Sequence, residues 1–146
     1  MSNTSLQLFC NRIVEAGVLT RADVQHLSDE LLRDGILDRD EADLLLALDR
    51  SVESDASFAA FLVAAIVDFA VWGERPTGTI DRETAAWLSA SIAGRSGPTP
   101  TGSRIAVEIV READVSDEAM IAFALQANRW TRLPADVERP RFALAA

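Results

Sequence analysis

The side chains able to do chemistry are few, and most are acidic. Asp29, Glu30, Asp34, Asp38, Asp40, Glu41 and Asp43 crowd one short stretch. Carboxylate oxygens are hard donors of the kind a divalent cation takes, and Glu30, Asp34, Asp38 and Glu41 are the candidate ligands. The competing reading is a solvated acidic surface, because Asp40 and Asp43 share a helical face opposite Leu44 and Leu48. His26 and Cys10 are the single imidazole and the single thiol. They fall on adjacent predicted helices, but a pair with no third group to orient it makes a poor nucleophile–base system. A half-buried histidine and a core thiol account for them better. Asp68 stands inside an apolar run and is expected to be a buried acid, hence paired, hydrogen-bonded or protonated. Trp72, Trp87 and Trp130 fall at or near predicted helix ends, where an indole is half buried with its N–H free. With Phe142 and Leu144 they either frame a protein-binding groove or close the core. No zinc spacing, phosphate-binding glycine loop or nucleophile elbow occurs. No catalytic residue is assigned, and the chain is expected not to be an enzyme.

The elements that must position these groups announce themselves in a phrase written three times. It reads Gly17-Val18-Leu19-Thr20-Arg21, Gly35-Ile36-Leu37-Asp38-Arg39 and Gly78-Thr79-Ile80-Asp81-Arg82. A glycine free to take positive φ closes one helix, and a Thr or Asp three places on caps the next. Each phrase is a hinge between helices.

Seven helices follow from caps and periodicity. The first covers about Asn3 to Glu15, and Thr20 and Asp38 cap the second and third. Ser54 or Asp55 starts a fourth that ends at Gly73, and Asp81 caps a fifth. A Gly-, Ser- and Pro-rich loop over Gly94 to Gly102 precedes a sixth, and Asp114-Val115-Ser116 caps a seventh. No segment alternates as a strand. The fold expected is all-α, a single helical domain over 1–132 with an irregular tail over 133–146. The stretch from Phe58 to Trp72 is apolar except at Asp68, so it is expected to lack a solvent face and to sit centrally among amphipathic neighbours. It falls short of the roughly 20 residues that span a bilayer.

With 146 residues, about half of them apolar, the chain has material for a real core. A net charge of −9 works against nucleic acid and anionic membrane as partners, and leaves a protein partner or a cation open. One cysteine precludes an internal disulfide, so nothing calls for an oxidising compartment. The N-terminal residues carry no signal-peptide pattern, and a cytoplasmic bacterial protein is the expectation. Arginine supplies every basic side chain and alanine is abundant, a bias that fits a GC-rich genome.

The stretch Asp34-Gly35-Ile36-Leu37-Asp38-Arg39-Asp40-Glu41 resembles the second half of an EF-hand loop and the repeated hinge of tellurite-resistance TerB-like helical domains. From Asp34 to Leu88 the chain is also similar to a family of small uncharacterised proteobacterial helical proteins. The shared features are the acidic helix Glu41 to Leu48, the apolar helix, the hinge Pro76-Thr77-Gly78-Thr79-Ile80 and the motif Ala86-Trp87-Leu88. The TerB-like resemblance implies metal bound through clustered acids. A working calcium loop with Gly35 at its sixth position would place Glu30 at position 1, Leu32 at 3, Asp34 at 5 and Glu41 at 12. Leucine supplies no ligand there; the Gly17 copy sets Arg12 and Val14 at positions 1 and 3, and the Gly78 copy sets Gly73, Arg75 and Thr84 at 1, 3 and 12. The expectation is therefore a non-catalytic helical interaction module with no cofactor. Its protein partner would be met through Trp72, Trp87, Trp130, Asp40 or Asp43. The alternative is a TerB-like metal-binding stress protein using the acids between 30 and 43.

Overall fold

The computed structural model describes residues 4–133 and Phe142. The fold is all-α: seven helices account for nearly all the regular structure. They are α1 (Thr4–Ala16), α2 (Arg21–His26), α3 (Arg39–Ser51), α4 (Ala56–Asp68), α5 (Arg82–Ala93), α6 (Pro100–Glu112) and α7 (Glu118–Thr131). Four two-residue strands sit in the turns: β1 (Val18–Leu19), β2 (Glu53–Ser54), β3 (Thr79–Ile80) and β4 (Val115–Ser116). Two π-helical turns, Leu27–Leu31 and Phe69–Gly73, extend α2 and α4. The chain comprises two compact units, Met1–Phe69 and Ala70–Ala146. The tail reading falls almost wholly outside the described residues.

In unit 1 the first hinge is the structural joint. Gly17 takes φ +81°, its N–H bonds the Ile13 carbonyl to close α1, and Thr20 opens α2 three residues later. The Thr20 hydroxyl accepts the Asp23 N–H at 3.2 Å, while Asp23 Oδ2 accepts the Thr20 N–H at 2.9 Å. That reciprocal pair satisfies donors a helix start would leave open. Between the two caps, Val18 and Leu19 pair in parallel with Glu53 and Ser54, and Asp55 caps α4 by accepting the Ser57 N–H. The core behind this bridge is built from Leu6 and Ile13 of α1, Leu45 and Leu48 of α3, and Phe58 and Leu62 of α4, all at most 2 % exposed.

Unit 2 repeats the plan. Gly78 takes φ +77°, β3 pairs in parallel with β4, and Asp81 and Asp117 cap α5 and α7. The correspondence extends to single bonds. Asp55 N–H donates to the Leu19 carbonyl at 3.0 Å, and Asp117 N–H donates to the Ile80 carbonyl at 2.8 Å. Each cap carboxylate accepts the N–H two residues on, at Ser57 and at Ala119. Ile80, Leu88, Ile92, Ile105, Ile109 and Met120 form the core, with α7 packed on both α5 and α6.

Several expectations need correction. Helix α7 is capped by Asp117, because Val115 and Ser116 are taken up in β4. The loop after α5 ends at Thr99, since Pro100 at the first helical position fits a helix start. The largest correction concerns α4. Phe58, Leu62, Val63 and Ile66 are buried, but Ala56, Ala60, Ala64 and Asp68 form an exposed row at four-residue spacing. The helix thus has a solvent face made of alanine, which a count of apolar letters does not reveal. With its π-helical turn it runs 18 residues to Gly73, enough by length and composition to cross a membrane. Four of its large side chains, Phe58, Leu62, Val63 and Ile66, are buried, and α4 packs on α2 and α3, while Phe61 is half-buried and Trp72 is exposed.

Candidate functional site

The acidic hinge before α3 is built as a clasp. Asp38 is the cap of α3, its Oδ1 accepting the Glu41 N–H at 2.9 Å. Glu41 is 3 % exposed, and its Oε1 reaches back to accept the Leu37 N–H at 2.8 Å. Two of the four candidate ligands therefore hold backbone donors that the hinge would otherwise leave unmet. Glu30 lies on the π-helical turn, its Oε2 2.8 Å from His26 Nδ1, and Asp34 is exposed in the following turn. Asp40 is exposed and Asp43 half-buried. Among the described residues no group of three or more His, Cys, Asp or Glu side chains is placed to hold a metal ion.

His26 and Cys10 do not form a reacting pair. Burial pushes the Cys10 thiol up to about 11, so at neutral pH it carries its proton and is a poor nucleophile. His26 is exposed, not half-buried as expected; it engages Glu30 and tilts against the Phe9 ring at 5.9 Å. Asp68 is exposed, and the buried acid expected there is absent because the alanine row places that side of α4 in solvent. The hinge acid Asp23 is held below the usual carboxylate range. Partial burial opposes its charge, but hydrogen bonds from the Thr20 backbone and hydroxyl and the nearby Arg12 outweigh that. Asp55 is lowered by the hydroxyl and then the backbone N–H of Ser57.

The tryptophans divide. Trp72 is 43 % exposed, and its Nε1 donates to Glu112 Oε1 at 3.2 Å. A methyl group on Gly78 would lie 3.2 Å from its ring and 2.8 Å from Asp114 Oδ2, so the indole and that carboxylate cover the Gly78 hinge. Trp130 is half-buried, its ring seated where a Cβ on Gly97 would come within 2.8 Å, and it meets Phe142 edge-on at 5.4 Å. Phe142 in turn meets Phe123 at 5.8 Å. Trp87 is half-buried on α5. Leu144 lies outside the described residues. Two of the three indoles thus serve largely as packing.

Two further features lie on the surface. An open groove of about 220 Å³ between α2 and α4 is lined by Val24 and Phe61, with Arg21, Ser28, Asp29 and Ser57 around them. The other is on α7, where Ile121 is 41 % and Leu125 60 % exposed while Met120, Phe123, Ala124 and Ala127 are buried. The signal was present in the sequence. Ala119 to Leu125 is apolar without a break, and a helix buried on one side cannot hide every residue of such a run. Nothing among protein-family models, curated proteins or solved structures matches this chain.

Proposed function

We propose that the chain is a non-catalytic helical interaction module of the cytoplasm that meets a protein partner through the outward face of α7. The observation that carries this reading is the exposure of Ile121 and Leu125, one helical turn apart, with Val115 beside the helix start 60 % exposed. Apolar side chains in register on one face lose water contact only when another surface covers them, worth roughly 25 cal/mol per Å² buried. The acidic hinge offers less. Asp38 and Glu41 are already engaged with backbone N–H groups, and Glu30 with His26. One oxygen of each carboxylate is thereby oriented by the fold rather than by a metal.

The test is a photo-crosslinking residue at Ala122, an exposed position between the two apolar side chains, installed in the native cells. The expected result is a defined adduct that disappears with Leu125→Asp while helicity and melting temperature hold. An adduct pattern no different from that of a probe at the exposed Ala86 of α5 would contradict the reading.

A further inference from the structure

The exposed face of α7 has an order of side chains that matches itself when the helix is turned end for end. Glu118 stands at its N-terminal end, Ala122 and Leu125 in the middle, and Arg129 at its C-terminal end, all four exposed. At 3.6 residues per turn these four fall within roughly 60° of arc, with Ile121 flanking them. From Glu118 to Arg129 the face runs about 16 Å along the axis. A two-fold axis crossing between Phe123 and Ala124 exchanges Glu118 with Arg129 and Ala122 with Leu125.

We infer that this face docks, antiparallel, on the same face of a second copy of the chain. The inference rests on the interaction reading above and names its partner. In that arrangement Glu118 faces Arg129 of the partner subunit, and the same axis generates the reciprocal pair. Such self-matching is what an isologous contact requires. Leu125 of each copy covers the small Ala122 of the other, which lets the helix axes approach to about 8–10 Å. A parallel pairing would set Glu118 on Glu118 and Arg129 on Arg129, so the charges select the antiparallel one. Neither Glu118 nor Arg129 is committed to an ion pair among the described residues. Phe142 meets Phe123 and Trp130, which lie on another side of α7, so this contact leaves the face open.

Overall charge points the same way. The chain carries −9, so two copies repel. Unit 1 holds thirteen acids against five arginines, whereas unit 2 holds ten against nine. Contact through unit 2 brings together the nearly neutral halves.

One helix pair is a small interface, so a dissociation constant of the order of tens of micromolar is expected. Sedimentation velocity on the purified full chain, from about 5 μM to about 1 mM, reads it directly. The expected result is a shift from monomer to dimer across that range. Glu118→Arg and Arg129→Glu should each weaken the dimer roughly tenfold or more, and the double exchange should bring it back to within a few-fold of the original. Leu125→Asp should hold the chain monomeric throughout, with an unchanged melting curve. A chain that stays monomeric at the highest concentration overturns the inference. So does a double exchange that fails to restore the dimer, or a dimer indifferent to Leu125→Asp. If the pure chain is monomeric while the Ala122 probe still gives an adduct with a different protein, the second copy is wrong and the interaction reading stands. A monomeric pure chain together with the absence of any adduct removes both.

Discussion

In unit 1 the parallel bridge joins the Gly17 carbonyl to the Glu53 N–H, and in unit 2 it joins the Gly78 carbonyl to the Val115 N–H. The backbone plan is shared, but the side chains placed around it differ. Gly35, in the turn before α3, has open space where a Cβ would go, and acids surround it in sequence. Gly97, in the turn before α6, lies against the Trp130 ring. Unit 1 uses charged caps to fix its turns, with Thr20–Asp23 and Asp38–Glu41 as the clasps. Unit 2 keeps acid caps at Asp81 and Asp117 and adds indoles against Gly78 and Gly97; both units leave apolar side chains outside, Leu8 and Leu37 in unit 1, Val115, Ile121 and Leu125 in unit 2. The lesson is that a joint capped by hydrogen-bonded acid can carry an aromatic cover as well, and that the same backbone plan accepts different side chains around it.

The contrast between a filled core and an uncovered face should give the largest effect. Phe58→Ala empties a fully buried site in unit 1 and is expected to cost about 3–5 kcal/mol. Leu125→Ala on the exposed face of unit 2 should stay within about 0.5 kcal/mol. Urea unfolding at low protein concentration checks both, and a large loss at Leu125 would mean that its face is covered within the chain. Next come the two turns. Gly97→Ala meets both positive φ and the Trp130 ring, so a loss of roughly 3 kcal/mol is expected, against about 1–2 kcal/mol for Gly35→Ala, which meets strain alone. Equal losses would erase the difference between the turns.

A smaller effect separates clasp from ligand. Glu41→Ala removes the acceptor of the Leu37 N–H and should cost roughly 1–2 kcal/mol with a chelator present throughout. A loss seen only when calcium, magnesium or zinc is added would instead make Glu41 a ligand. Calorimetry of the unaltered chain with those ions is expected to show no micromolar binding heat. The smallest effect is in the pH dependence of unit 1. Asp23 and Asp55 have lowered folded values, so their contribution is present above the unfolded value near 4 and is lost as pH falls through the folded values. Asp23→Asn should therefore flatten part of the decline of the melting temperature below about pH 4. An unaltered acid limb would show that the Thr20–Asp23 clasp contributes nothing.

The joints were legible because their signals are local. Thr20, Asp38 and Asp81 each stand three residues after a glycine, and each caps a helix. The alternatives Ser54 and Asp55 resolve to Asp55, whose carboxylate accepts the Ser57 N–H while Ser54 is spent in β2. What was not legible depends on partners far along the chain. Two-residue strands joined across the intervening helices leave no alternation to read. Alanine supports either a buried or an exposed face, so Ala56, Ala60 and Ala64 concealed the solvent side of α4 and misplaced Asp68. Trp72 and Trp130 fall at helix ends as expected, whereas Trp87 stands in the middle of α5. Which residues stayed outside, Leu125 above all, depended on how α7 packs on α5 and α6.

The central claim, that the α7 face and not the acidic hinge makes the contact, is tested most directly by comparing the Ala122 adduct across variants in the native cells. The adduct should vanish with Leu125→Asp and persist when Asp40 and Asp43 are both changed to Asn. Survival in the Leu125 variant, or loss in the hinge variant, would contradict the account.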